Sequence, residues 1–314
     1  MNNKVVLIGC GNVGMSYAYA LLNQRTYVNK LVLIDLNKDR IDGEVMDLNH
    51  CLAYAPSKLS ISNGEYSDCK DARIVVIAAG ANQKPGETRM DLIHKNAAIF
   101  KDIVGKVMAS GFNGIFVVAT NPLDVMTYLT WKYSGLSANK VIGSGTSLDT
   151  ARLRYLIGDK LKINPKNVHA YVIGEHGDTE FVPWSQALIG TKPVEAVVSE
   201  FGDRFKREEM DAISERVKNA AYEIIEAKQS TYYGIGMSLV RIVKAILKDE
   251  RSILTVSAYL KGQYKEYDVY AGVPVIVGRD GVRGHLDLHL TPEETKKFSA
   301  SCEALRQFYK ETNL

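Results

Sequence analysis

A histidine, an aspartate and an arginine have types and spacings that could carry acid–base chemistry. His176 lies between glycines in Gly174–Asp178, and flanking glycines permit backbone conformations that aim a side chain at a site. Asp149 and Arg152 stand three residues apart in a segment with helical periodicity, so they share one helix face. An exposed ion pair would explain that spacing equally well. If the face instead meets His176, the aspartate can hold the imidazole and the arginine offers two parallel donors to a carboxylate.

A glycine-rich turn follows the first apolar run. Residues 9–14 read Gly-Cys-Gly-Asn-Val-Gly, a spacing that allows a tight turn and a close approach of backbone N–H groups to a pyrophosphate. Asp35 ends the next apolar run, where its carboxylate can accept hydrogen bonds from a ribose and would repel a 2′-phosphate. The pattern predicts NAD rather than NADP, although Lys38 weakens the preference, and a different ligand in a similar turn is the alternative. The predicted cofactor-binding residues of this region are Gly9, Gly11, Asn12, Val13, Gly14 and Asp35.

Charge, hydropathy and cysteine usage exclude several classes of protein. The balance of 39 Lys+Arg against 36 Asp+Glu gives a net charge of +3, which predicts neither a nucleic-acid-binding surface nor a membrane-binding one. The longest apolar stretch, residues 74–81, is far shorter than the ~20 residues that cross a bilayer. The first apolar run begins at Val5 and leaves no room for a secretory leader. The four cysteines have no CxxC spacing, so we expect free thiols and a cytoplasmic protein.

The elements that must position these residues change character near residue 143. Before it, short apolar runs alternate with amphipathic segments, which predicts a doubly wound parallel α/β sheet of the Rossmann type. After it, we expect a mixed α+β catalytic domain, so the predicted domains are 1–143 and 144–314, packed tightly because no linker separates them. The predicted strands are 5–8, 31–34, 74–77, 115–118, 141–142, 168–173, 253–260, 269–277 and 285–289, and the predicted later helices are 146–161, 203–228, 237–247 and one that begins after Thr291.

A polar loop that contains a second arginine follows the apolar run at 74–77. Residues 80–89 read Gly-Ala-Asn-Gln-Lys-Pro-Gly-Glu-Thr-Arg, a composition that suits an ordinary surface loop. Ligands of doubly wound sheets bind at the carboxyl ends of the strands, where this loop begins. A lid is therefore the alternative, because its closure would exclude water and bring Arg89 beside a substrate carbonyl, which the cation would polarise.

Five motifs, in this order, resemble the L-lactate dehydrogenase branch of the lactate/malate dehydrogenase family. They are the glycine turn at 9–14, the loop at 80–89, Thr-Asn-Pro-Leu-Asp at 120–124, Ser-Leu-Asp-Thr-Ala-Arg-Leu-Arg-Tyr at 147–155 and Gly-Glu-His-Gly-Asp-Thr-Glu at 174–180. The similarity covers essentially the whole chain. It implies NAD-dependent interconversion of pyruvate and L-lactate as the last step of lactic fermentation, and it implies a homotetramer.

The resemblance also implies a role for each candidate residue. His176 would donate or accept the proton and Asp149 would orient it. Arg152 would bind the substrate carboxylate, and Arg89 would polarise the oxygen on C2. The further residues implied at the substrate or the nicotinamide are Asn121, which would contact both, Thr231 in the substrate pocket and Ile235 against the nicotinamide ring.

Gln83 occupies the position that resembles the family's discriminator between substrates. Malate enzymes of the family carry arginine there, whose charge would pair with a second carboxylate. A neutral amide would leave that carboxylate desolvated without a counter-ion, so we expect pyruvate rather than oxaloacetate. A malate dehydrogenase and a catalytically silent NAD-binding protein are the rival hypotheses. Retention of His176, Asp149, Arg152 and Arg89 together disfavours the silent protein.

Two further polar groups each allow two interpretations. Arg154 and His169 resemble the pair through which many bacterial members of the family bind fructose 1,6-bisphosphate between subunits, and two cationic side chains suit a phosphate; ordinary interface or surface residues are the alternative. His285, Asp287 and His289 alternate as on one face of a strand. A solvated strand face explains them better than a metal site, because no fourth ligand is evident, and we predict no bound metal.

Overall fold

The computed structural model describes residues 3–81, 86, 88–201 and 205–312, with only the backbone of Arg89 and Phe201. The strands are β1 Lys4–Ile8, β2 Lys30–Ile34, β3 Ser60–Asn63, β4 Ile74–Ile77, β5 Ile115–Val118, β6 Val141–Gly143, β7 Val168–His169, β8 Leu188–Ile189, β9 Lys192–Pro193, β10 Ser252–Lys261, β11 Tyr267–Gly278 and β12 Gly281–His285. The helices are α1 Asn12–Leu22, α2 Lys38–Cys51, α3 Arg89–Ala109, α4 Leu123–Ser134, α5 Ser147–Leu161, α6 Val194–Phe201, α7 Arg207–Lys228, α8 Tyr233–Leu247 and α9 Pro292–Glu311.

Six parallel strands form the amino-terminal part of the main sheet. Their order is β6-β5-β4-β1-β2-β3, so the order reverses between β1 and β4, which is where ligands bind in doubly wound sheets. All residues of β1, β4 and β5 are buried, as expected for strands covered by helices on both faces. The predicted doubly wound α/β fold is confirmed. Strand β3 was not predicted, because Ser60–Asn63 is a polar edge strand without the apolar signal of the others.

The same sheet continues into the carboxyl-terminal half of the chain. Strand β10 pairs antiparallel with β6 at Ser257 and Gly143, and β11 and β12 add two more antiparallel strands. A Cβ atom on Gly143 would clash with Thr127 and would lie 2.7 Å from Ser257 Cβ, so glycine permits this junction. The two halves therefore share one nine-stranded sheet. The division into domains at residue 143 stays a prediction.

Three details of the later elements differ from the sequence-based predictions. The predicted strand 285–289 is wrong beyond His285, because the following backbone bonds to the Tyr264 side chain: Leu286 O accepts from the tyrosine hydroxyl and Leu288 N donates to it. Helix α8 begins at Tyr233, about one turn before the predicted start. Between 168 and 173, only Val168–His169 forms a strand.

A second, smaller core lies under the three-stranded sheet β7-β8-β9. It packs helix α5 against α7 through buried apolar side chains that include Leu153, Ile157 and Val217. Helix α5 is thereby held from one side by α7 and from the other by β10. Within the described ranges, no helix is both long enough and apolar enough to cross a membrane.

The last helix, α9, supports the loop at 174–180. Thr291 caps the helix by accepting a hydrogen bond from Glu294 N, and Pro292 occupies its first position, as predicted. The Ser301 hydroxyl, which is fully buried, accepts a 2.7 Å hydrogen bond from Glu175 N and lies 2.8 Å from Thr179 Oγ1. This contact fixes both ends of the loop to the helix.

We predict that Ser301→Ala lowers the free energy of unfolding by about 1–3 kcal/mol, because it leaves the buried N–H of Glu175 without its acceptor. Urea unfolding of the full chain measures the change. Ser299→Ala is the matched control, since its hydroxyl donates to Glu266 and holds no backbone group of the loop. Equal losses in the two variants would contradict a special contribution of Ser301.

Candidate active site

Three sequence-distant segments bring His176 and Asp149 together. Helix α5 begins just beyond β6, so Asp149 in its first turn lies at the carboxyl edge of the parallel strands. The loop that carries His176 is anchored to β11, because Gly174 and Gly272 exchange two backbone hydrogen bonds of 2.9 and 2.8 Å. Imidazole Nδ1 of His176 then lies 2.7 Å from Asp149 Oδ2. The contact leaves Nε2 as the ring nitrogen that can exchange a proton with a ligand.

The Asp149 carboxylate holds two cationic groups at once. Its Oδ1 accepts a 2.8 Å hydrogen bond from Arg152 Nη1, while Oδ2 faces His176. The aspartate is 1% exposed. Burial by itself would raise the pKa of Asp149, but the charges and hydrogen bonds of His176 and Arg152 outweigh it and lower the pKa. Asp149 and Arg152 therefore form an ion pair within one helix, and together with His176 they form a buried triad.

The environment of His176 favours its charged form. Burial by itself would lower the pKa of the imidazole, because it penalises the charge. The negative charge and the hydrogen bond of Asp149 more than offset this, with smaller contributions from Glu180 and Asp124, and the pKa of His176 rises to about 9. The imidazolium is thus the main form at neutral pH, and the neutral ring forms within the mildly alkaline range.

A buried aspartate fixes the backbone of the loop at 174–180. Asp124, in the first turn of α4, accepts a 2.8 Å hydrogen bond from His176 N and a 2.5 Å one from Ser257 Oγ on β10. Burial raises the pKa of Asp124 to about 6, against the lowering effect of these hydrogen bonds. The carboxylate thereby ties α4, β10 and the loop to one point, so the imidazole is aimed by its backbone as well as by Asp149.

The region around Asn121 links the ends of two neighbouring parallel strands, β4 and β5. Asn121 follows β5, its side chain is exposed, and its peptide bond to Pro122 is cis. The side chain of Asn96 donates a 2.8 Å hydrogen bond to Asn121 O and accepts one of 2.8 Å from Ala81 N. Gln83 lies outside the described residues, and so does the side chain of Arg89, whose backbone begins α3.

The other predicted ligand-contacting residues lie where α1 meets the start of α8. Asn12 Nδ2 donates a 3.1 Å hydrogen bond to Ser230 Oγ, next to Thr231. Thr231 precedes α8 and Ile235 lies in its first turn, and both are half-buried. The glycine turn and the Thr231 segment therefore border the same region. The roles of Thr231 in the substrate pocket and of Ile235 against the nicotinamide ring stay predictions.

The glycine turn forms a cradle that fits a dinucleotide. Gly9 has a φ of +97°, and a Cβ on Gly14 would clash with Gly9 O, so both positions require glycine. A Cβ on Gly11 would meet nothing within 4 Å, which leaves its backbone open to a ligand. Asp35 Oδ2 accepts a 2.7 Å hydrogen bond from Cys10 N and orients the turn.

A cavity of about 960 Å³ extends from this cradle. Gly9, Gly11 and Asp35 line one part of it, and Tyr66, Ile99 and Ile103 line another. The cavity therefore combines backbone donors and a carboxylate with an apolar wall, which is the chemistry that a pyrophosphate, a ribose and an adenine need.

Arg154 and His169 lie outside this cleft. Arg154 Nε donates a 3.1 Å hydrogen bond to Ala170 O, and its guanidinium lies over the Tyr171 ring. His169, in β7, is exposed. Arg154 thus points away from Arg152, as two-residue spacing on a helix predicts, and it lies beside the strand that carries His169.

Three residues of the site were not assigned a role from the sequence. Asp124 ends the Thr-Asn-Pro-Leu-Asp motif, Glu180 ends the Gly-Glu-His-Gly-Asp-Thr-Glu motif, and Ser301 belongs to α9. The first two stand in motifs that the sequence analysis singled out, so their position was a usable signal. Ser301 has no such signal, because its contact with the loop joins residues more than 120 positions apart.

Two family models together match almost the whole chain. The model of the lactate/malate dehydrogenase NAD-binding domain matches residues 3–143, and that of the lactate/malate dehydrogenase alpha/beta C-terminal domain matches residues 146–313. Among curated proteins, an L-lactate dehydrogenase of Bacillus velezensis (strain DSM 23117 / BGSC 10A6 / LMG 26770 / FZB42) is 57% identical over 304 residues, which cover 97% of this chain and 95% of the relative.

Solved structures give the same result. A lactate dehydrogenase from a Medee basin deep-sea metagenome library, MGS-M5, has a TM-score of 0.97 and 51% identity, and the match covers 100% of this chain and 99% of that one. The minor L-lactate dehydrogenase of Enterococcus mundtii in its ligands-bound form has a TM-score of 0.96 and 49% identity, with 98% of each chain covered. With the Rossmann cradle and the His176–Asp149 pair in place, the chain belongs to the lactate/malate dehydrogenase family of NAD-dependent oxidoreductases.

Proposed function

We propose that this protein is an L-lactate dehydrogenase that interconverts pyruvate and L-lactate with NAD as the cofactor. The observation that carries the proposal is the 2.7 Å contact between His176 Nδ1 and the buried carboxylate of Asp149, with Arg152 on the same carboxylate. This arrangement holds an acid–base group beside a cation that can bind a carboxylate. The relatives named as L-lactate dehydrogenases support lactate and pyruvate as the substrate pair.

The proposed chemistry uses His176 in both directions. In pyruvate reduction, the imidazolium donates its Nε2 proton to the oxygen on C2, and in lactate oxidation the neutral ring accepts that proton. When NAD is bound, its nicotinamide exchanges a hydride with C2 of the substrate. Asp149 stabilises the charged ring throughout, and the raised pKa of His176, about 9, keeps the proton donor available at neutral pH.

The residues that would bind the two ligands divide between the two sides of the cleft. Gly9, Gly11 and Gly14 would hold the pyrophosphate with backbone N–H groups, and Asp35 would accept hydrogen bonds from the ribose. Arg152 would bind the substrate carboxylate with the N–H groups that face away from Asp149. Arg89 would polarise the C2 oxygen of the substrate. The further residues that we propose to contact the cofactor or the substrate are Asn12, Val13, Asn121, Thr231 and Ile235.

We predict that Asp149→Asn lowers kcat/KM for pyruvate by about 100-fold or more, because the amide cannot stabilise the imidazolium. NADH binding, followed by fluorescence titration, stays near that of the unaltered protein, since Asp149 does not border the glycine cradle. Asp159→Asn is the matched control on the same helix, where the carboxylate forms an exposed pair with Lys162. Equal losses of catalysis and NADH binding would count against this role.

We predict that Gln83→Arg raises the ratio of kcat/KM for oxaloacetate to that for pyruvate by about tenfold or more, which corresponds to ~1.4 kcal/mol. The introduced guanidinium would pair with the second carboxylate of oxaloacetate. NADH consumption with the two keto acids, measured on one enzyme preparation, gives the ratio directly. An unchanged ratio would refute Gln83 as the discriminator.

We further propose that the enzyme is a cytoplasmic homotetramer of lactic fermentation and that Arg154 and His169 bind fructose 1,6-bisphosphate. Two cationic side chains suit a phosphate, and Arg154 donates a hydrogen bond to Ala170 O, the residue next to His169 in the chain. Addition of the sugar phosphate at sub-saturating pyruvate is expected to raise the rate of NADH consumption, and Arg154→Gln to abolish the increase. If the sugar phosphate leaves the rate of the unaltered enzyme unchanged, Arg154 and His169 are ordinary surface or interface residues.

A further inference from the structure

A second buried carboxyl group lies beside the catalytic pair. Glu180 is 4% exposed, and its Oε2 lies 3.9 Å from His176 Nδ1. Nδ1, a carboxylate oxygen of Asp149 and a carboxyl oxygen of Glu180 all lie within 4.8 Å of one another. The chemistry proposed above gives Glu180 no task, although its carboxyl group lies beside the same ring nitrogen that faces Asp149.

The backbone holds Glu180 firmly in this position. Ile173 and Phe181 exchange two hydrogen bonds of 3.0 and 3.1 Å, which close the loop, and Glu180 N donates a 3.2 Å hydrogen bond to Gly177 O inside it. These bonds fix the backbone from which the Glu180 side chain extends towards the imidazole. The closed loop therefore keeps Glu180 next to His176.

The charges around Glu180 come from three segments. Asp149 and Arg152 face it from α5 and His176 faces it from its own loop, and Asp124 of α4 accepts a hydrogen bond from the His176 backbone. Burial and the negative charge of Asp149 raise the pKa of Glu180, against the lowering effect of the two cations. Glu180 therefore carries a proton at neutral pH, and so does His176, and both titrate at higher pH.

We propose that Glu180 is a positioning residue for the proton of His176: its ionisation is coupled to that of the imidazole and keeps the ring protonated further into the alkaline range. When Glu180 releases its proton to solvent, a negative charge forms 3.9 Å from Nδ1 and favours the imidazolium. The two groups then lose their protons as a pair rather than independently. This inference rests on the proposed pyruvate reduction.

The variant Glu180→Gln tests the coupling, because it keeps the size of the side chain and removes its titration. The alkaline limb of kcat/KM for pyruvate reduction and the acid limb for lactate oxidation are both expected to move to lower pH by about one unit. The rate of pyruvate reduction on the acidic plateau is expected to be retained. A packing role predicts instead a loss of rate that is the same at every pH and leaves both limbs in place.

Glu175→Gln is the matched control in the same loop. Glu175 is 2% exposed and its carboxyl group accepts a hydrogen bond from Thr179, so the variant changes an equally buried carboxyl group of the same loop. We expect both limbs to stay where they are in this variant. The proposal is overturned if the pH profiles of kcat/KM for Glu180→Gln and the unaltered enzyme coincide. It is also overturned if the limbs of these profiles shift equally in Glu180→Gln and Glu175→Gln.

A titration of the His176 ring by nitrogen-15 NMR separates this inference from the proposed function, since it needs no turnover. In the unaltered protein the ring nitrogens should follow a two-step curve, and in Glu180→Gln a single step at lower pH. An enzyme that fails to reduce pyruvate would contradict the proposed function alone. A single-step curve in the unaltered protein would contradict the coupling, even if the variant does not fold.

Discussion

The site depends on one buried carboxylate that must be neutralised by its neighbours. Asp149 is almost completely removed from water, and a carboxylate in that position is unstable unless cationic donors satisfy it. His176 and Arg152 provide those donors. The contacts that stabilise the aspartate therefore also fix the imidazole, raise the pKa of the imidazole and orient the guanidinium. Neutralisation of one buried carboxylate thus accounts both for the position of the two cationic side chains and for the raised pKa of His176.

The rest of the fold serves to bring the partners of that carboxylate to one place. Helix α5 follows directly from the parallel sheet, whereas the histidine loop comes from a different part of the chain. Gly272 of β11, Asp124 of α4 and Ser301 of α9 each bind the backbone of that loop. Three independent elements thus hold the histidine, and this rigidity offsets the conformational freedom that its flanking glycines would otherwise give.

Continuity of the sheet makes this arrangement possible. Because β10 pairs with β6, the two halves of the chain form one layered body instead of two bodies joined by a linker. The glycine cradle lies where the order of the parallel strands reverses, and His176, Asp149 and Arg152 lie on segments after residue 143. The pairing of β6 with β10 therefore holds both groups of residues on one sheet.

The sequence by itself determined the family through five motifs that resemble it. Strand burial and turn geometry leave periodic and local patterns, and these patterns predicted the doubly wound sheet, the glycine turn and the candidates His176, Asp149 and Arg152. The sequence missed the polar edge strand β3, and it extended a strand beyond His285, where the Tyr264 hydroxyl bonds to Leu286 O and Leu288 N. Only the tertiary structure decided that Asp149 meets His176, that Asp124 and Ser301 support the loop, and that Glu180 lies beside the ring. These contacts join residues far apart in the chain, and their strength comes from burial, which no local pattern of residues contains.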